Sequence, residues 1–306
     1  MAVTVAEYLG KRTDVDEPII PITDQVSCPF QSHNICMKSS NNKNPVCSVR
    51  KDGDELWIVC QNRLCATKKD IPLCEHQKRI LLDIAQSIFN PQVTPEQVLV
   101  RREVPLQVNR SGTKPYHADY IMTINDGKSP YSGPDRVILE MQGGGETSAT
   151  EKMTAVVEKW KKAEHPTNEL LRKSSAANPL ETNAWRRQQE QFIVKGNIAM
   201  QTWKGCGIAF CVGTLLYRYL SDKINFDSLP RLQESNWTLA IVPIVEDKSI
   251  EPTTGPIPLM VDRGKIVFTN YQTFVHALIN QGVPNPAAFK GKFVNLLNQE
   301  KIIKLD

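Results

Sequence analysis

The chain has 306 residues, 41% of them hydrophobic, with a formal net charge of +4 and a pI of about 8.5. That is enough for one large domain or two ordinary ones with a packed core, and it excludes wholesale disorder. The mildly basic balance permits nucleic-acid binding without demanding it.

The opening MAVTVAEYLGKRTDVDEP lacks a basic start followed by an apolar run, so no secretory signal is expected. The long apolar stretch GIAFCVGTLLYRYL is too short and too polar at its end to span a bilayer. These features predict a soluble, cytoplasmic protein.

In chain order, residues 1–24 read as a short helix and an extended lead-in, and residues 25–66 as a segment too polar to bury much surface. Residues 71–90 carry apolar positions at helical spacing, among them Ile80, Leu81, Ile84 and Ile88, and Asn90-Pro91 stops the helix. Three strands are predicted next, at 97–108, 117–124 and 136–142, separated by turn-rich segments that favour successive antiparallel pairing. Helices follow over 147–162 and 180–202, then a strand at CGIAFCVG and a helix opening at TLLYRYL. This alternation predicts a crossover unit. WTLAIVPIVED and GKIVFT read as late strands, and 271–281 and 286–299 as late helices. The fold class expected is α/β (α+β), with a mixed central sheet flanked by helices.

Six of the eight cysteines lie between Cys28 and Cys74. In a cytosolic protein such a cluster points to a metal site rather than a disulfide framework. Four thiolates close a tetrahedral shell for zinc or iron and supply folding free energy to a polar segment. The competing reading is that several are buried free thiols. Cys65 competes with Cys60, Cys74 reads as core at a helix start, and His33 and His76 are weaker ligand candidates.

In VILEMQGGG, Glu140 and Gln142 share one face of a strand, because side chains alternate with period two. If the strands pair as hairpins, Asp119, Glu140 and Gln142 converge, and Glu103 adds a third acid. Such an oxygen-rich set suits magnesium, which activates water and stabilises charge on phosphate. Gly143–Gly145 either permit close approach of backbone and DNA or simply form a strand-to-helix loop.

An acid, a spacer and then Glu-x-Gln resembles the PD-(D/E)xK nuclease core with its final lysine replaced by Gln142. The order SCPF, VC, WIVCQNR, HADYIMTI, VILEMQ, NPLETNAWRRQQEQF and WKGCGIAFCVG resembles the NotI-type family of type II restriction endonucleases over residues 27–213. The resemblance implies a homodimeric, magnesium-dependent prokaryotic enzyme that cuts palindromic double-stranded DNA. It implies catalytic roles for Asp119, Glu140, Gln142 and Glu103, with Asp119 and Glu140 as magnesium ligands. It also implies a structural metal, iron or zinc, on Cys28, Cys36, Cys47 and Cys60. The implied organisation is an N-terminal segment with the four-cysteine metal-binding module at 1–70 and a nuclease domain with a C-terminal extension at 71–306. The Cys28–Cys36 spacing is shorter than in that family, and Cys65 and Cys74 have no counterpart there.

Candidate DNA contacts are Lys152, Lys159, Lys161 and Lys162 on one helix and Arg186, Arg187 and Lys195 on the next, with Arg50, Lys51 and Arg63 in the cysteine segment. Arginine can read guanine and lysine more often meets phosphate, whereas the bland alternative is a solvated helix face. Two other functions compete with a restriction enzyme: a non-enzymatic DNA-binding protein with degenerate acids, and a nuclease of loose sequence preference.

Overall fold

A computed structural model describes residues 2–22, 27–31, 35–36, 46–52, 54–64, 70–107, 114–125, 133–145, 147–148, 150–202, 205–283 and 285–305. His33 and Cys65 lie outside the described residues.

The N-terminal part pairs β1 (Val3–Tyr8), β2 (Lys11–Arg12), β3 (Val46–Lys51) and β4 (Glu55–Ile58) into a sheet of order β2-β1-β3-β4. Residues 3–8 are therefore strand, not the expected helix. Their apolar pattern suits both states, and the antiparallel partner β3 decides between them. Residues 25–66 also bury more than expected. Val46, Val49, Leu56, Trp57 and Ile58 all lie in the core, and the Tyr8 ring meets Trp160 edge-on at 5.3 Å.

After the short α1 (Gln61–Leu64) comes α2 (Glu75–Ile88). Cys74 stands at its N-cap, where its backbone N–H donates to Gln77 Oε1 at 3.0 Å. Ile80, Leu81, Ile84 and Ile88 form the buried stripe, each contributing about 1.5–3 kcal/mol.

The central sheet uses β5 (Val98–Pro105), β6 (His117–Ile124) and β7 (Arg136–Gln142), paired antiparallel in succession as expected. The minor β8 (Thr147–Ser148) leads into α3 (Thr150–Lys161), then α4 (Asn168–Leu171), β9 (Asn178–Pro179) and the long α5 (Glu181–Thr202). Next, β10 (Cys206–Gly213) pairs parallel with β7, α6 (Thr214–Ile224) crosses over, and β11 (Leu239–Glu246) pairs parallel with β10. Strands β12 (Leu259–Val261) and β13 (Val267–Thr269) pair antiparallel with β11, and α7 (Tyr271–Ile279) follows. The sheet is mixed, of order β12-β11-β10-β7-β6-β5 with β13 beside β11.

Alternation along β7 feeds two cores. Ile138 packs with residues of α5, α6 and α7, including Phe192, Leu216 and Phe274, while Val137 and Leu139 pack with Ile80 and Ile84 of α2. Helices thus cover both faces. The first of these cores also takes in Val3, Val49 and Trp57, so the N-terminal sheet and the central sheet share it.

The helix expected over 286–299 is not present. A 3-10 turn at Pro286–Phe289 leads to an antiparallel hairpin of β14 (Gly291–Val294) and β15 (Ile302–Leu305). It leaves Phe289, Leu296 and Leu297 exposed. No described helix is long and apolar enough to cross a membrane.

Candidate functional site

The sheet register aligns the acids. Arg102 faces Tyr120 and Val104 faces Ala118, so Glu103 stands opposite Asp119. Tyr120 faces Leu139, which puts Asp119 opposite Glu140 one step on. Glu103, Asp119 and Glu140 therefore occupy one row across three strands. Glu103 holds a φ of 47°, a left-handed conformation that costs an L residue about 1–2 kcal/mol.

Glu140 is 3% exposed and Asp119 is half-buried. The backbone N–H of Met141 donates to Asp119 Oδ2 at 2.9 Å, which ties the β6 acid to β7. Lys195 Nζ lies 2.6 Å from Glu140 Oε2, and Lys195 is only 2% exposed. The other Glu140 oxygen, Oε1, is buried without a hydrogen-bond partner. Burial, and then the Asp119 charge, push the Glu140 carboxyl up to about 8 despite Lys195. Burial also raises Asp119, with the Met141 N–H and Lys195 opposing.

A cavity of about 340 Å³ opens beside this row, lined by Glu103, Tyr116, His117, Asp119, Gln191 and Lys195 among others. With three acids against one lysine, the site is short of positive charge. Neighbouring carboxylates and an orphaned, buried oxygen make a donor set that fits a hard divalent cation.

Gln142 is the remaining expected member. Its Nε2 donates to the Gly144 carbonyl at 2.5 Å, and its Oε1 accepts from Gln188 of α5 at 2.8 Å. Both polar ends are therefore used inside the protein. The glycines after it dock the strand end on β4: a Cβ at Gly143 would stand 2.7 Å from Ile58 Cβ, and one at Gly144 2.8 Å from the Trp57 ring. The close backbone approach is to the protein's own core.

Cys28, Cys36, Cys47 and Cys60, all buried free thiols, line a second cavity of about 20 Å³. That volume admits about one water-sized sphere. The Gly10 N–H donates to Cys47 Sγ at 3.2 Å. Gly10 has φ 71°, and a Cβ there would stand 2.3 Å from the Pro29 ring, so a side chain is excluded beside the thiols. Burial, then the neighbouring thiols Cys36, Cys60 and Cys74, push the Cys28 thiol up to about 11. Burial and the Glu7 carboxylate hold Cys47 well above its usual value. Clustered buried thiols of this kind fit a thiophilic cation, whose charge would reverse those shifts. Among the described residues, no group of three or more His, Cys, Asp or Glu side chains is placed to hold a metal ion as it stands.

The expected DNA contacts divide. Lys152, Lys159, Lys162, Arg186 and Arg187 are exposed on α3, its C-terminal end and α5. Lys161 lies 4.0 Å from Glu158. Lys195 does not belong with them on an exposed helix face: it points inward to Glu140 and lines the cavity beside the acids. Arg63 is likewise fully buried on Glu7, 2.7 Å away. Arg50 is held by Glu246 at 2.7 Å, and Lys51 by Glu181 at 3.2 Å. The signal for Lys195 was present in its spacing. It lies three residues after Phe192 and four before Ala199, on the stripe that α5 buries.

Compared with known proteins, the sequence matches no protein-family model and no curated protein.

Proposed function

We propose that this protein is a magnesium-dependent type II DNA endonuclease of the NotI type, built on a PD-(D/E)xK core and acting as a homodimer on palindromic duplex DNA. One observation carries the reading. The register that pairs Tyr120 with Leu139 brings Asp119 alongside Glu140, whose Oε1 is buried and unpartnered, and Asp119 and Lys195, the partner of Glu140, line an open cavity. The sequence resemblance gives the same two residues the catalytic roles.

In this reading Asp119 and Glu140 hold the metal, and Glu103 lines the same cavity. The chemistry that magnesium supplies when bound there is activation of water and neutralisation of charge on a phosphate oxygen. The protein's contribution is positional. The Met141 N–H fixes the Asp119 carboxylate, and Gln188 and Gly144 fix Gln142 at the strand end. Lys152, Lys159, Arg186 and Arg187 face solvent, where phosphates and bases can reach them. Two copies related by a twofold axis suit a palindromic target. Cys28, Cys36, Cys47 and Cys60 hold a structural iron or zinc ion that braces the N-terminal sheet.

A second reading has its own support. Gln142 is neutral and hydrogen-bonded within the protein through both its Nε2 and its Oε1, as in a non-enzymatic DNA-binding protein whose acids have lost their task. Incubating the protein with plasmid and phage DNA of known sequence, in magnesium and in EDTA, separates the two. Discrete magnesium-dependent fragments support the endonuclease, and their ends define the site. A smear points to a nuclease of loose preference. Binding without any cleavage supports the second reading and sinks the first.

A further inference from the structure

We infer that Lys195, delivered from α5, supplies the fixed positive charge that Gln142 cannot supply from β7. The inference rests on the endonuclease reading and assigns a further catalytic residue to that site.

The first observation concerns Gln142. It carries no charge, and its amide is committed at both ends, to Gly144 O at 2.5 Å and to Gln188 Nε2 at 2.8 Å. The strand position therefore orders the strand end, and the one amide N–H it has left is neutral and supplies no positive charge to a phosphate.

The second observation concerns Lys195. Its Nζ stands 2.6 Å from Glu140 Oε2, and its side chain also lines the cavity with Asp119 and Glu103. It is the one lysine or arginine among the described residues that line this cavity. A lysine ammonium carries three N–H donors. One is taken by Glu140, which leaves donors for an oxygen in the cavity.

The third observation concerns the helix. Gln188, Gln191 and Lys195 follow helical spacing on one side of α5, and all three belong to the site: Gln188 holds Gln142, while Gln191 and Lys195 line the cavity. The helix is seated firmly at this point. Phe192 packs on Phe210 of β10 with ring centroids 5.2 Å apart. Gly196 lies against the Tyr271 ring, where an added Cβ would stand 2.1 Å from a ring carbon. The Tyr271 hydroxyl also donates to the Ile193 carbonyl. A charge mounted on such a helix is held in place before substrate arrives.

In the hydrolysis, the oxygen of water bonds to phosphorus as the bond from phosphorus to one strand's oxygen breaks. The proton lost by water passes to solvent, and the departing alkoxide takes one from solvent. Lys195 keeps all three protons throughout. It donates to a non-bridging phosphate oxygen, whose negative charge grows in the transition state.

The test compares wild type, Lys195→Met and Lys195→Arg for single-turnover cleavage in magnesium, for DNA affinity in calcium and for thermal midpoint. Removing one such donor lowers the cleavage rate about 10²–10³-fold. Lys195→Met is expected to lose that much while its DNA affinity in calcium stays within about threefold of wild type. Lys195→Arg is expected to cut at a rate between the other two, because it restores charge at a displaced position. Lys195→Met cutting within about threefold of wild type would overturn the inference. If Lys195→Met does not fold, Lys195→Arg cutting as fast as wild type overturns it. A wild type that does not cut at all overturns the endonuclease reading, and this inference with it.

Discussion

Arg63 and Glu7 form an ion pair closed off from water, with Arg63 Nε 2.7 Å from Glu7 Oε2 and both side chains 0% exposed. Neighbouring polar groups complete the pair. Ser48 donates to Glu7, the Ile257 N–H donates to Glu7 Oε1 at 2.8 Å, and Arg63 donates to the Ile257 carbonyl. The pair joins β1, α1 and the segment before β12. Removing one partner strands a buried charge, so Arg63→Met is expected to cost about 3–5 kcal/mol. Denaturant unfolding of the variant measures this. A loss under about 1 kcal/mol would show that water reaches the pair.

His76 adds a pH dependence to the same network. Its Nε2 faces both the Arg63 guanidinium and, at 3.2 Å, the Arg63 carbonyl oxygen. Burial first, then the Arg63 charge, hold its pKa well below the ordinary 6.5. Arg79 acts in the same direction, and the Phe30 ring closes the other side. The unfolded chain takes up the proton near 6.5, whereas the folded chain resists it. Stability from this group is full above that pH and is lost as pH falls toward the folded value. The thermal midpoint of wild type is expected to drop on acidification below about 6.5, and His76→Gln to flatten that limb. Equal slopes in the two proteins would contradict the burial of a neutral imidazole.

Cys47 tests the structural metal. The purified protein is expected to carry about one iron or zinc ion per chain by elemental analysis. Cys47→Ala is expected to lose it, to yield less soluble protein and to melt lower than wild type. A metal-free Cys47→Ala protein with an unchanged melting curve would refute the role.

Asp119 and Glu140 test the chemistry. Asp119→Asn and Glu140→Ala are expected to abolish magnesium-dependent cleavage, by about 10³-fold or more. DNA binding in calcium should be largely retained, because both acids repel phosphate as well as hold metal. Gel-shift and cleavage assays on one DNA fragment read both quantities. Specific binding lost in parallel with cleavage would count against the catalytic assignment.

Much of this site was legible because its strands are punctuated sharply. The runs 117–124 and 136–142 are apolar stretches bounded by turn residues, and both match the observed strands. Successive antiparallel pairing then let Asp119 and Glu140 converge, and the register that aligns them is a finding of the structure. The strand 206–213, buried at every position, was equally plain. Three features were not. VTVAEY suits a helix or a strand, and only β3, far along the chain, settles it. FVNLL near the C-terminus has helical spacing, but Gly291, with φ 114°, opens a hairpin instead. Lys195 reads as a surface charge from its residue type, and although its spacing places it on the buried stripe of α5, that spacing does not name its partner. Its partner Glu140 is 55 residues away in sequence, and only the packing of α5 on β7 unites them.

The alignment of Glu103, Asp119 and Glu140 across three separate strands has a consequence for how the gene can change. Deleting or adding one residue within β6 would turn the side chains beyond it to the opposite face of the sheet. Asp119 would then point toward α2, away from its neighbours in the row. Length changes between the strands, in the stretches 106–116 and 125–135, leave each strand's alternation intact. Descendants of this chain are therefore free to lengthen or shorten those two connections, while the spacing within each strand is inherited as a unit.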